Sequence, residues 1–135
     1  MRLFTVEEAR AELRSLLPSI GQMVTAARRA EELERRIAAA ARAASGNGRT
    51  KEPIPAADAS GPRELEQLRS TLERAIRAIA AAGAEVKDVR RGLIDFPAER
   101  RGEVVYLCYE YGEPDIEFWH PVDTGYAGRR PMSEF

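Results

Sequence analysis

Between Leu13 and Ala44 the apolar residues recur in steps of three and four. Leu13, Leu16, Ile20, Met23, Ala27, Ala30, Ile37, Ala41 and Ala44 form an a/d alternation broken only at Glu34. Such a stripe predicts one long amphipathic helix. Thr5 followed by Glu8 is a capping-box pattern, in which hydroxyl and carboxylate each satisfy a main-chain N–H, so the helix is expected to start at Val6. Pro18 cannot donate to the carbonyl one turn back, and a kink or a short separate first helix is expected near Leu16 and Leu17. A second stripe, Leu65, Leu68, Leu72, Ala75, Ile79 and Ala82, lies between Pro62, suited to a first helical turn, and Gly83, suited to a left-handed cap. The two helices should pair antiparallel as a hairpin over residues 5–83. Residues 45–61 lack periodicity and are rich in Gly, Pro, Ser and Asp, the composition of a flexible link.

From residue 84 to 131 the period shortens toward two. Glu85 to Val89 and Leu93 to Phe96 are short candidate strands, and Glu103 to Tyr111 is a strong one. Ile116 to His120 is expected to pair with it across Gly112, Glu113, Pro114 and Asp115. If Tyr111 faces Ile116, parity puts Val105, Leu107, Tyr109, Ile116, Phe118 and His120 on the helix-facing side. Tyr106, Cys108 and Trp119 then form a partly open aromatic patch on the other side, and a one-residue slip would exchange these faces. The fold class that follows is α+β: a long antiparallel helical hairpin, its first helix kinked or broken near Pro18, packed on a small, mainly antiparallel C-terminal sheet of three or four strands.

Length and composition narrow the picture further. The 135 residues suit a single domain spanning 1–135. A formal net charge of -1 gives no global attraction to nucleic acid or anionic membrane. Cys108 is the only cysteine, which excludes an intramolecular disulfide or a thiolate cage and makes a reducing cytoplasm the expected setting. No stretch approaches the roughly 20 apolar residues of a membrane-spanning helix.

The strings FTVEEA, VKDVRRGLIDFP, VVYLCYEYGEPDIEFWH and TGYAGRRP together resemble the prokaryotic domain-of-unknown-function family 2203. Gly92 through Pro97, the Leu107-Cys108 step, the Gly112-Glu113 turn, the Trp119-His120 pair and the Gly128-Arg129 step carry the match, which spans both ends of the chain and the whole β-like block. In that family a Trp often follows the cysteine, where this chain has Tyr109. The resemblance implies a small prokaryotic protein with a helical hairpin and a β-rich end. It implies no activity, cofactor or catalytic residue.

The candidate chemistry centres on His120, the only histidine, with Asp95, Glu113 and Asp123 as companions. Imidazole and carboxylates are suitable ligands for a divalent metal or partners in acid/base work, although no HxxxH, HxH or CxxC spacing is present. The structural alternative holds His120 to a backbone carbonyl or to a single carboxylate. The tail from Asp123 to Pro131 offers Arg129 and Arg130 to a phosphate or carboxylate; the alternative folds it over the sheet, with either arginine paired to Glu110, Glu117 or Asp95. Trp119, with Tyr106, Tyr109 and Phe118, could stack bases, but interleaved acidic residues favour core packing and argue against nucleic acid. Cys108 reads as a small buried hydrophobe, not a nucleophile. The leading functional expectation is a non-enzymatic interaction or ligand-binding module, a homodimer or adaptor that offers the sheet patch and arginine tail to a protein or a small anionic ligand. The alternative is a metal-binding protein or small enzyme centred on His120; no particular cofactor is indicated.

Overall fold

Thr5 and Glu8 satisfy each other as a capping box: the Thr5 hydroxyl accepts from the Glu8 N–H and the Glu8 carboxylate accepts from the Thr5 N–H, both at 3.1 Å. The helix so started, α1, is Val6–Ser45. It passes through Pro18 as one element, so the short separate first helix expected there is not formed. Leu13, Leu16, Ile20 and Met23 flank the proline and are all buried in one core. At about 1.5–3 kcal/mol for each large side chain, their burial outweighs the proline's cost of about 3 kcal/mol.

The computed structural model describes residues 1–45 and 60–135. Apart from its two ends the expected flexible link lies outside them; Ser45 belongs to α1, and Gly61 opens the second helix, α2 (Gly61–Ala81). Pro62 occupies the first turn, and Gly83 follows the helix with φ of 96°, a left-handed conformation that glycine adopts without strain. The helices pair antiparallel, as Arg29 bonded to Glu64 at 2.9 Å and Arg69 to Glu34 at 3.2 Å mark from outside. Ala30, Leu33 and Leu65 form a small cluster between them. Farther along, Ala41 and Ala44 are exposed.

The sheet has five strands where three or four were expected: β1 (Glu85–Asp88), β2 (Leu93–Arg100), β3 (Glu103–Glu110), β4 (Phe118–Pro121) and β5 (Arg130–Pro131). They lie in chain order, each antiparallel to its neighbour. The added strand is only two residues long, too short to leave a periodic signal.

The register between β3 and β4 is slipped by one residue from the expected one, with Leu107 opposite Trp119 and Tyr106 opposite His120. Tyr111 does not meet Ile116. Its N–H goes back to the carbonyl of Gly92 at 3.0 Å, while Asp115 accepts from the Ile116 N–H at 2.7 Å and Arg10 holds the Ile116 carbonyl at 2.9 Å. Pairing resumes only at Phe118. The slip turns the indole of Trp119 into the core and His120 out of it, which the larger apolar area of the indole favours.

Ile94, Phe96, Ala98, Val105, Leu107, Tyr109 and Trp119 form the helix-facing side of the sheet and join the α1 and α2 side chains in one core. No helix among the described residues is long and apolar enough to cross a membrane.

Candidate functional site

The opposite face of the sheet would ordinarily be wet, yet Asp95, Cys108 and His120 are buried there, exposed by 2%, 0% and 2%. They come from β2, β3 and β4. Asp95 is directly opposite Cys108, and His120 lies one pleat repeat along the same face, opposite Tyr106. Adjacent strands thus carry a carboxylate, a thiol and an imidazole to one point. One ligand atom from each lies within 4.8 Å of the others.

The hydrogen bonds of the imidazole define its state. Nδ1 is 2.7 Å from the carbonyl oxygen of Pro121, which can only accept, so Nδ1 carries a hydrogen. Nε2 is 3.0 Å from Oδ2 of Asp95. Burial pushes the Asp95 carboxyl up from its ordinary value, with His120 as the main opposing influence. Oδ1 of Asp95 is buried with no hydrogen-bond partner. Burial, then the Asp95 charge, pushes the Cys108 thiol up to about 12. Cys108 is therefore no activated nucleophile, because both imidazole nitrogens are engaged elsewhere and the thiol holds its proton.

The C-terminal tail roofs this cluster. Nη1 and Nη2 of Arg129 donate to the two oxygens of Glu113 at 2.9 and 2.6 Å, and Nε donates to Sγ of Cys108 at 3.3 Å. The same guanidinium lies over the rings of Phe118 and Tyr126, at 4.3 and 4.6 Å. Tyr126 is held in turn by its hydroxyl on Glu110 at 3.1 Å and by Arg91 over its ring. Burial works against the Arg129 charge, but the bonds to Glu113 and Cys108 carry its pKa above the usual arginine value. Lys87 over the Tyr106 ring covers a further part of this face.

The expected companions of His120 are only partly assembled. Asp95 joins it; Glu113 is engaged by Arg129 instead, and Asp123 lies with Trp119 and Arg130 in a separate cleft. Arg129 is paired to Glu113, not to Glu110, Glu117 or Asp95. The aromatic patch expected around Cys108 is closed, since Trp119 has turned into the core and Tyr106 is buried. The residue missed as part of the His120 site is Cys108, because the expected register put it and His120 on opposite faces.

The chain matches the model of a family described as an uncharacterized conserved protein, DUF2203, over residues 2–132. No curated protein and no solved structure matches it significantly.

Proposed function

Because the chain belongs to the uncharacterised DUF2203 family, its function has to be sought in the site itself, and we propose that it is a transition-metal-binding protein whose ligands are Asp95, Cys108 and His120. The observation that carries this reading is the convergence of three buried ligand atoms, from three neighbouring strands, within 4.8 Å. The donor set is an imidazole nitrogen, a sulfur and a carboxylate oxygen, which suits zinc and its first-row neighbours. Anchoring Nδ1 on the Pro121 carbonyl is the usual way a ligand histidine is oriented, and it leaves Nε2 to face the cluster.

Charge and hydrogen bonding support the same reading. Thiolate and carboxylate together would neutralise a divalent ion, while Arg129 and Glu113 already neutralise each other beside it. The partnerless Oδ1 of Asp95 belongs to a group that a cation would satisfy. Three protein ligands leave a fourth position for water or a small ligand, with Nε of Arg129 donating to the Cys108 sulfur from outside the set. The adaptor reading, which needs the arginine tail for a partner, has less support, because Arg129 is committed to Glu113 within the chain.

Cobalt titration tests this reading, because thiolate-bound Co(II) absorbs in the near ultraviolet. The expected result is a saturating band at one ion per chain, displaced by zinc and absent in Cys108→Ser and His120→Ala. A folded wild-type chain that gives no such band and retains no zinc on dialysis at micromolar concentration would overturn the proposal.

A further inference from the structure

On the helix-facing side of the sheet, beyond the end of the core, a cleft of about 460 Å³ opens between Arg100, Glu103, Trp119, Asp123 and Arg130. Its floor includes the indole of Trp119, and both guanidiniums lie over that ring, Arg100 at 4.5 Å and Arg130 at 5.2 Å from its centre. Neither is paired to an acidic side chain among the described residues. Arg100 donates to the main-chain oxygens of Phe135 and Glu134 at 3.2 and 3.1 Å, and among the described residues the Arg130 side chain makes no hydrogen bond or ion pair. The Glu103 and Asp123 carboxylates at the rim are likewise without a cationic partner among the described residues.

We propose that this cleft binds a small free zwitterion, an oxyanion-bearing molecule with an ammonium group close by, independently of the Asp95, Cys108 and His120 centre. Both guanidiniums already rest over the indole, so they can grip a phosphate or carboxylate with less loss of side-chain freedom than unsupported arginines would incur. The two carboxylates bring the formal charge of the four groups to zero, which disfavours a bare multiply charged anion. A ligand carrying both signs supplies every one of the four with a counter-charge. The volume limits the occupant to a metabolite-sized molecule.

Trp119 is the only tryptophan, so its fluorescence reports occupancy of the cleft directly. Phosphoethanolamine is expected to give a saturable change, and inorganic phosphate, which lacks the ammonium group, to bind about tenfold more weakly or worse. Arg130→Ala should weaken phosphoethanolamine by about tenfold or more with the unfolding midpoint kept, since loss of one of two charge-assisted contacts is at stake. The double variant Glu103→Gln, Asp123→Asn should close the gap between the two probes. Cys108→Ser should bind phosphoethanolamine as the wild type does, which separates this cleft from the metal reading. No saturable signal up to millimolar concentration, equal affinity for the two probes in the wild type, or unchanged affinity in Arg130→Ala would each overturn the assignment.

Discussion

Oδ2 of Asp95 and Nε2 of His120 meet 3.0 Å apart with both side chains almost wholly out of solvent. With Nδ1–H committed to Pro121, only one further proton is needed to bond the two groups to each other. The pair therefore stands or falls together. Breaking it from one side strands the other member where water does not reach.

Substituting His120 by Ala should accordingly cost about 3–5 kcal/mol in urea unfolding, the range for leaving a buried partner uncompensated. Adding Asp95→Ala should return part of that loss, so a double-mutant cycle should show clear non-additivity. Strictly additive effects would mean that the two side chains do not interact energetically.

Alkaline titration isolates Cys108. Its pKa is raised from 9.0 to about 12 in the folded chain, so above pH 9 the unfolded chain ionises this thiol while the folded chain keeps it protonated. Stability of the metal-free protein should decline from about pH 9 and level off near 12 as far as Cys108 is concerned. Tyr106, raised first by its bond to Glu85, and Tyr109, raised by burial, push in the same direction. The Cys108 share is thus read as the difference between wild type and Cys108→Ser, and identical pH profiles would refute it. Metal uptake has the opposite dependence, rising with pH because the thiol must first lose its proton.

The helices were legible because their signals are local: Thr5 with Glu8, Pro62 and Gly83 each act within one turn. The continuity of α1 through Pro18 was not, because it depends on burial of Leu13, Leu16, Ile20 and Met23 in a core shared with α2 and the sheet, far along the chain. The site was half legible. His120 and Asp95 stand out by residue type, but their union with Cys108 depends on the register of β4, and Tyr111 turning back to Gly92 shifts that register by one. No short-range pattern reports that contact, and the two-residue β5 is formed only because Arg130 and Pro131 lie along β4.

Gly92 holds that turn. Its φ is 62°, and a Cβ added there would lie 2.5 Å from Cβ of Tyr111 and 2.8 Å from Cγ2 of Val24. Gly92→Ala should therefore destabilise the protein by about 2–4 kcal/mol, combining left-handed strain with overpacking against the buried Val24 and the Cβ of Tyr111. Gly102, with φ of 80° and nothing within 4 Å of an added Cβ, should lose only about 1 kcal/mol on the same change. Equal costs at the two sites, measured by thermal unfolding, would show that close approach at Gly92 is unimportant.

Arg129 tests how the tail is held over the site. Its fork bonds Glu113 through two nitrogens, its Nε reaches Cys108, and it lies over the rings of Phe118 and Tyr126, so charge alone does not describe its role. Lysine keeps the charge but has neither the planar fork nor the stacking surface. Arg129→Lys should therefore lose about 1–3 kcal/mol, the range for a charge-assisted hydrogen bond, and Arg129→Ala somewhat more because Glu113 is then left half-buried without its cation. Both variants should speed amide hydrogen exchange in residues 122–131 more than in β2 and β3, since the roof opens without unfolding the sheet. Exchange that rises uniformly across the chain would mean that Arg129 stabilises the whole fold rather than the tail. Full stability in Arg129→Lys would mean that a point charge beside Glu113 suffices.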